Sequence, residues 1–360
     1  MIQVFHIIND YNKSSGGAEM LVQSIHNCMD DSNIESTLVG ITKSDDVVPN
    51  AYSLNVPKLY SFKAFNTLRK YVKTLDSQSI VHAHLFPTVL YLGILKRLRL
   101  LKCPVVFTEH STSNRRREMR FGKTLDTFIY KQIDYLVAIS IGTKIELQKW
   151  LNKLNLDIEV IPNGIRLQYD EVLLRAEKDV VEIVSVGRLT KAKNYIKMLE
   201  AISLMPSDNI HYTIVGDGEL RSEIERKIEE LEIASKVSLV GYQKNVTEYL
   251  LKADVFLMAS KWEGFGLSAV EAMNASLPLV LSNIPGLKEF VEEKGPAGVL
   301  VDPDSADQIA KSLSKFVASK ELRINYGRHS FRASKSFSMN KTCLAYQDLY
   351  NRIKQENEVA

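Results

Sequence analysis

Cysteine is scarce. Cys28, Cys103 and Cys343 are the only three in 360 residues, an odd set, far apart and without metal-ligand spacing. That excludes a disulfide-dense scaffold and a thiolate zinc site, and it fits a reducing compartment with the thiols as small core side chains. Long apolar runs are missing too. The longest, such as Leu85 to Leu95, is too short to cross a bilayer. The N-terminal MIQVFHIIND reads as a first strand rather than a cleavable signal. The expectation is therefore a cytoplasmic chain, soluble or held peripherally at the cytosolic face of a membrane. There is no G-x-G-x-x-G, which argues against a dinucleotide enzyme. Neither half has a D-x-D pair at a strand end of the kind that holds Mg²⁺ on a diphosphate. No metal, cofactor or nucleic-acid partner is expected.

Net charge is small, +3, but unevenly spread. Lys63 to Lys123 holds 13 basic and 3 acidic residues, a local +10. This is either a solvated basic face or a surface for an anionic partner. The length allows roughly two domains, each with a sizeable core.

Short apolar strands alternate with helical stretches throughout. Candidate strands in the first half are Ile2–Ile8, Ser36–Thr42, Ser79–Leu85, Pro104–His110, Tyr135–Ser140 and Ile158–Ile165. A second series runs through Val181–Leu189, His211–Leu220, Lys236–Tyr242, Ala253–Ala259, Leu277–Asn283 and Ala297–Asp302. Such alternation predicts an α/β chain of two Rossmann-like, doubly wound parallel-sheet domains. The boundaries expected are 1–166, a polar linker over 167–180, and 181–341. A helix over about 342–358 would pack back on the first domain. Ligands of such sheets sit at the carboxyl ends of the strands, and two domains facing each other would place the site in the cleft between them.

The most informative stretch is Ser260 to Asn274, SKWEGFGLSAVEAMN. An apolar strand is followed by a glycine turn and then a strong helix former. Unpaired backbone N–H groups and the helix dipole then converge on one point and favour an anion. Glu263 and Glu271 bracket the turn, seven residues lying between them, so that both can address one ligand. Gly264 and Gly266 make the turn. A phosphate with hydroxyls on either side, as in a nucleotide-sugar, suits that arrangement.

Elsewhere Arg188 and Lys193 leave a strand end five residues apart, either a surface pair or a clamp for a diphosphate. Gly216, in VGDGE, and Tyr242, after Gly241, close neighbouring strands, either as tight turns or as backbone near a nucleobase. Gly16 and Gly17 precede the first helix, a weak signal on their own. His110 ends its strand among small polar residues and is the histidine best placed for a substrate. His82 and His84 lack a third ligand nearby in sequence, so a metal site is not expected and His84 reads as structural. Lys63 to Leu75 sets Phe65, Leu68, Val72 and Leu75 on one helical face, with cations including Lys70 and Lys73 elsewhere. Together with Leu92 to Lys102 it is either an ordinary packed helix or an anionic-membrane contact. Arg115, Arg116 and Arg117 follow His110 and could receive a pyrophosphate.

These motifs, in this order, resemble the retaining glycosyltransferases of family 4, which have the two-domain GT-B fold. EGFGLSAVEAM matches that family's E-x7-E signature, GRLTKAKN its GR…K element and GGAE its first glycine loop; IPNGI, VGDGE, TEHS and IPGLKEFV also fall in order. The resemblance covers nearly the whole chain. It implies transfer of a hexose or N-acetylhexosamine from a nucleotide-sugar, UDP-linked in the commonest case, to a glycan or lipid-linked acceptor. It implies that Arg188 and Lys193 bind the diphosphate, Glu271 the ribose and Glu263 the sugar ring. Gly17 would lie under the phosphate, and His110 would contact the sugar near its 6-position. The departures are Arg166 after NGI, TKA before Lys193 and Ser276 after the second glutamate's helix, and they leave the donor open. Two other readings share these features, a nucleotide-sugar epimerase or hydrolase and a non-catalytic nucleotide-sugar-binding partner. The first would need further acid/base groups, and donor hydrolysis by the protein alone would separate the second.

Overall fold

A computed structural model describes residues 1–12, 16–29, 33–152, 154–176, 178–206, 209–292 and 295–359. The chain divides into two compact units, one of Met1–Gly164 with Met339–Ala360, the other of Ile165–Ser338.

The first unit is built on seven strands: β1 (Ile2–Ile8), β2 (Ile34–Gly40), β3 (Ala51–Ser53), β4 (Ile80–His84), β5 (Val105–Glu109), β6 (Tyr135–Ala138) and β7 (Ile158–Val160). They lie in the order β3-β2-β1-β4-β5-β6-β7, every pair parallel. The second unit has β8 (Val181–Val186), β9 (Ile210–Val215), β10 (Val237–Leu239), β11 (Val255–Met258), β12 (Leu279–Ser282) and β13 (Gly298–Val301). Their order is β10-β9-β8-β11-β12-β13, again all parallel. Each is the doubly wound sheet expected from the alternation. The cause is visible in the strands themselves. IVHAH, VVFTE, VFLM and LVLS are buried along their whole length, because helices cover both faces of a parallel sheet. The three-residue edge strand β3 was not expected; it lies in a polar segment bounded by prolines and pairs through only Leu38↔Ala51 to Gly40↔Ser53.

Two expectations need correction. The segment 167–180 is not a free linker. It lies inside the second unit, where the buried Asn274 side chain accepts from Gln168 N (2.8 Å) and Tyr169 N (3.3 Å) and donates to Tyr169 O (3.2 Å). Arg175 also donates to Ala275 O (2.7 Å) and Leu250 O (3.1 Å). A polar segment without an apolar face can thus be tied down by hydrogen bonds to helix-end carbonyls. The cysteines are not all free either. Cys28 and Cys343 form a disulfide with Cα atoms 6.2 Å apart, across 315 residues of sequence; only Cys103 is a free, buried thiol. Cys343 rides on the helix Met339–Val359, whose Tyr346, Leu349, Tyr350 and Ile353 pack with Ile2, Val4, Leu21, Ile25 and Ile80 of the first unit. Separation in sequence hid the pairing, and cysteine usage does not argue for a reducing compartment.

Asn274→Ala leaves two backbone donors of the 167–180 segment unpaired, which should cost about 1–3 kcal/mol. Thermal unfolding of the purified chain, with limited proteolysis reporting on 167–180, measures it; an unchanged midpoint and cleavage pattern would remove that segment from the second unit's stability.

Candidate active site

In the second unit the expected residues collect along the carboxyl edge of four adjacent strands, β10, β9, β8 and β11. The loops there are bonded to one another. Gly216 N donates to Gly241 O (2.9 Å), Gly187 N to Val215 O (3.0 Å) and Lys261 N to Ala192 O (2.8 Å). Gly216 could not be another residue, since a Cβ would come within 2.0 Å of Gly187 O at φ +147°. Tyr242, next to Gly241, is exposed at the outer end of this row.

At its inner end, Lys193 Nζ and a carboxylate oxygen of Glu263 form an ion pair in which each side chain is about four-fifths buried. Lys193 is held by the geometry that follows it. Asn194 adopts a left-handed conformation (φ 59°), and its amide donates to Ala259 O (3.0 Å) and Pro303 O (2.7 Å). Tyr195 OH donates to Gly187 O (3.0 Å). Arg188, at the end of β8, is exposed. Neither Asn194 nor Tyr195 was singled out from sequence. An asparagine directly before an apolar helix was the available signal, since Asn tolerates the left-handed region.

The glycine turn is as expected. Gly264 and Phe265 lead to Gly266 (φ 86°), which caps the helix Leu267–Asn274. The Phe265 ring is buried and packs edge-on against Phe290 (5.3 Å) and Phe337 (5.6 Å), so only its backbone faces the ligand side. The IPGLKEFV loop supports the turn from behind: a Cβ on Gly286 would meet Glu263 O at 2.5 Å and Gly264 O at 2.9 Å. Ser268 Oγ donates to Val186 O (3.0 Å), tying the helix start to β8. Glu271 lies in the same helix. Burial pushes its carboxyl up to about 7, and no side-chain hydrogen bond to it occurs among the described residues. The result is a row of cations, amides and an unfilled carboxylate, which can hold a diphosphate with hydroxyls beside it.

In the first unit Gly16 precedes the helix Gly17–Asn27 in extended backbone; residues 13–15 of the same loop lie outside the described residues. His110 follows β5. The HAH pair does have a third histidine, from far away in sequence: His6 on β1 stands beside His82 on β4, and ring nitrogens of His6, His82 and His84 lie within 4.8 Å of one another. Both His82 nitrogens are already taken, however, by Tyr350 OH (2.6 Å) and Thr108 Oγ1 (2.8 Å). The cluster is a hydrogen-bonded one. His6 was missed because parallel register, not sequence proximity, brings it in.

The arginines after His110 correct another expectation. Arg116 Nε pairs with the buried Asp126 (2.6 Å), and its guanidinium lies 4.4 Å over the Phe86 ring. Arg117 donates to Thr112 O and lies 5.8 Å from the Trp150 ring centre. Trp150 in turn donates to Asp126 (3.0 Å), and Tyr130 donates to the buried Glu109. Arg116 therefore belongs to the packing beneath this strand end, whereas Arg117 keeps its Nε and one Nη buried without a partner. The Arg115 side chain lies outside what is described. Lys70, on the helix Phe62–Val72, and Lys73, at its C-terminal cap, are exposed, and the helix's buried face is Ala64, Leu68 and Val72.

Two family models match the chain in succession, Glycosyltransferase Family 4 over residues 15–169 and Glycosyl transferases group 1 over residues 170–332. The chain belongs to the family 4-type glycosyltransferases. Its relatives include the amylovoran biosynthesis glycosyltransferase AmsD of Erwinia amylovora, 24% identical over 96% of this chain and 99% of that protein. Another is the UDP-Gal:alpha-D-GlcNAc-diphosphoundecaprenol alpha-1,3-galactosyltransferase of Escherichia coli, 27% identical over 82% of this chain and 81% of that protein. The fold is that of sucrose-phosphate synthase from Thermosynechococcus elongatus (TM-score 0.81, 18% identity, 98% and 99% of the two chains). It is equally that of Anabaena HepE in complex with UDP and glucose (TM-score 0.81, 15% identity, 98% and 100%). The GT-B class and the transferase activity expected from the motifs are thus found.

The raised Glu271 carboxyl has a measurable consequence. Below about pH 7 it is neutral and loses the charge with which it would accept ribose hydroxyls. UDP affinity, measured by calorimetry over about pH 6 to 8, should weaken as pH falls, by up to roughly tenfold per unit below 7. In Glu271→Gln that component should vanish, leaving only the titration of UDP itself. Identical profiles in the two proteins would take Glu271 out of the nucleotide site.

Proposed function

We propose that this enzyme transfers a hexose or N-acetylhexosamine from a UDP-sugar to a glycan or lipid-linked acceptor in polysaccharide or glycolipid synthesis, with retention and without an essential metal. The observation that carries this reading is the edge of the second sheet, where Arg188, Lys193, Glu263, the Gly264–Leu267 turn and Glu271 are held by one connected set of loops. The relatives from Erwinia and Escherichia support polysaccharide synthesis, a UDP donor and a diphosphoundecaprenol acceptor as the class to test first.

In the reaction the bond from the sugar's anomeric carbon to the diphosphate oxygen breaks, and negative charge builds on the leaving group. Arg188, Lys193 and the amides of the turn neutralise it. The acceptor oxygen bonds the anomeric carbon on the face the diphosphate leaves, and its proton passes to a departing phosphate oxygen. Glu263 holds the sugar hydroxyls, and Glu271 holds the ribose. Glu263 is anchored to Lys193, which suits a positioning carboxylate better than a free nucleophile; a trapped glycosyl-enzyme on Glu263 would reverse that role. His110 contacts the donor sugar.

Removing one preorganised group from a developing charge costs about 2.7–4 kcal/mol. Arg188→Ala and Lys193→Ala should each lower turnover by roughly 10²–10³, with acceptor KM little changed. The donor is identified first by a thermal-shift panel of nucleotide-sugars. Near-normal turnover in either variant sinks the assignment.

The same reading seats the first unit on an anionic membrane. The helices Phe62–Val72 and Thr88–Arg97 frame a groove of about 440 Å³ lined by Phe62, Phe65, Tyr91, Ile94 and Leu98. Phe62 is 81% and Leu98 57% exposed. From Val47 to Thr108 there are nine Lys or Arg and one acid, Asp76. Apolar side chains on helices that also carry the exposed Lys63, Lys70, Arg97 and nearby Arg99 suit the headgroup region of an anionic bilayer. Vesicles containing phosphatidylglycerol should co-sediment the protein in a salt-sensitive way, neutral vesicles should not, and Phe62→Asp should weaken binding by roughly tenfold or more. Binding indifferent to lipid charge and to Phe62 would dispose of the membrane contact.

A further inference from the structure

Among the described residues of the first unit, the three most exposed aromatic side chains are Phe62 (81%), Tyr60 (69%) and Phe121 (68%). They come from two stretches of sequence but from one place in the fold. In a parallel sheet each crossover helix runs back against its strands, so helix N-termini lie at the carboxyl edge. Tyr60 and Phe62 flank Ser61, which caps the helix Phe62–Val72, and Phe121 is the N-cap of the helix Gly122–Tyr130. All three therefore stand at the edge where His110 follows β5. Both helices also cover the same face of the sheet. Ala64, Leu68 and Val72 of one and Ile129 and Tyr130 of the other share a core cluster with Val81, Val105 and Phe107.

The helix Gly122–Tyr130 is partly inside out. The buried Asp126 faces inward, pairs with Arg116 and accepts from Trp150, whereas Phe121 and Phe128 face water. The usual arrangement on a core is the reverse. The turn before this helix is tightly held. Met119 N donates to Arg116 O (3.2 Å) and Gly122 N donates to Met119 O (3.0 Å). A Cβ on Gly122 would fall 1.5 Å from Arg116 O, so the helix start is pressed against the short helix Arg115–Glu118. Met119 (57% exposed), Arg120 and Phe121 thus project from a turn that the Arg116–Asp126 pair keeps in place. The Arg120 guanidinium lies 5.3 Å from the Phe121 ring centre. Glu118, just ahead of the turn, is exposed. From Met119 to Lys131 the only acid is the buried Asp126, while Arg120 and Lys131 are exposed. Lys58 and Lys63 are exposed beside Tyr60 and Phe62.

A stable protein interface takes about 800 Å² from each partner, more than one turn and two further side chains provide. In a symmetric contact with a second copy, Arg120 and Lys131 would also meet their own like charges. An anionic bilayer has neither difficulty. Aromatic rings settle at its interface, and cations beside them meet lipid phosphates. We propose that Met119, Arg120 and Phe121 form a preformed membrane-inserting turn, which with Tyr60 and Phe62 seats the first unit on an anionic bilayer by the carboxyl edge of its sheet. This rests on the membrane reading above and deepens it, from a groove between two helices to a defined orientation. The edge on which His110 stands then lies at headgroup depth. The diphosphate of a lipid-linked acceptor sits at that depth too, so the acceptor meets this edge without leaving the bilayer.

The test uses the full chain, without substrate, and vesicles of phosphatidylcholine with or without phosphatidylglycerol. The wild type should co-sediment only when phosphatidylglycerol is present. Phe121→Asp should weaken that binding by roughly tenfold or more. Met119→Asp should do the same, and serves if Phe121→Asp does not fold. Leu98 is the matched control. It is 57% exposed, as Met119 is, but it follows the C-terminus of the helix Thr88–Arg97, at the opposite edge of the sheet. Leu98→Asp should have little effect. Orientation is read from Phe62→Trp, Phe121→Trp and Leu98→Trp on vesicles with brominated acyl chains. The fluorescence that each adds to that of Trp150 and Trp262 should be quenched at 62 and 121 but not at 98. Unchanged binding in both aspartate variants overturns the proposal, and so does quenching at 98 equal to that at 121. Binding that Phe62→Asp and Leu98→Asp abolish, but Phe121→Asp and Met119→Asp do not, keeps the groove and sinks the turn. Binding to neither vesicle sinks both. Self-association of the wild type that is lost in Phe121→Asp, seen by sedimentation velocity, would give the turn to a second copy instead. No outcome involves turnover, so the transferase reading stands or falls separately.

Discussion

The pairing of Lys193 with Glu263 organises the second unit's site, because it joins the loops after two neighbouring strands, β8 and β11, through their charges. A lysine at a strand end is ordinarily a mobile, hydrated point charge. Here the carboxylate and the left-handed Asn194 behind it leave the ammonium one position. The carboxylate is fixed in return, with Gly286 pressed against its own carbonyl. What a diphosphate would meet is therefore a charge already stripped of part of its water and aimed, which is how an electrostatic contact comes to favour a charge-separated transition state over a ground state. The cost of holding two ions away from solvent is met within the fold before any ligand arrives.

Much of this was legible in the sequence, for a physical reason. Parallel sheets covered on both faces need strands with no polar side, and such strands stand out as apolar runs; twelve of the thirteen were recognisable, and only the short edge strand Ala51–Ser53 was not. Glycines that the geometry requires, such as Gly216 and Gly266, were equally visible, because a side chain there collides or forces a left-handed backbone. Contacts made across the fold were not visible. His6 joins His84 through strand register, and Cys28 joins Cys343 through a helix that returns from the end of the chain. Arg116 misled for a related reason. A run of cations looks alike whether it faces water or, as with Arg116 over Asp126 and Phe86, closes a buried network.

The two units place different chemistry at the same topological position. At the carboxyl edge of the second sheet the groups are charged or are backbone amides, suited to phosphate. At that of the first they are neutral rings and hydroxyls, backed by a buried carboxylate, Glu109, that Tyr130 and the nearby arginines keep company. A parallel sheet directs all its strand ends one way, so each unit offers one edge on which such groups can be varied without disturbing the core beneath.

The return of the helix Met339–Val359 to the first unit has a consequence for how the protein is made. The apolar face formed by Ile2, Val4, Ile80, Val106 and Val137 is covered by side chains between residues 346 and 353. During synthesis that face is complete once β6 has emerged, yet its cover arrives only after the whole second unit has been translated. For that interval the first sheet has this side covered only by Leu21, Ile25 and Met29 while a second sheet of the same architecture folds on the same chain. A chain that ended before residue 346 would leave that face of the first unit only partly covered.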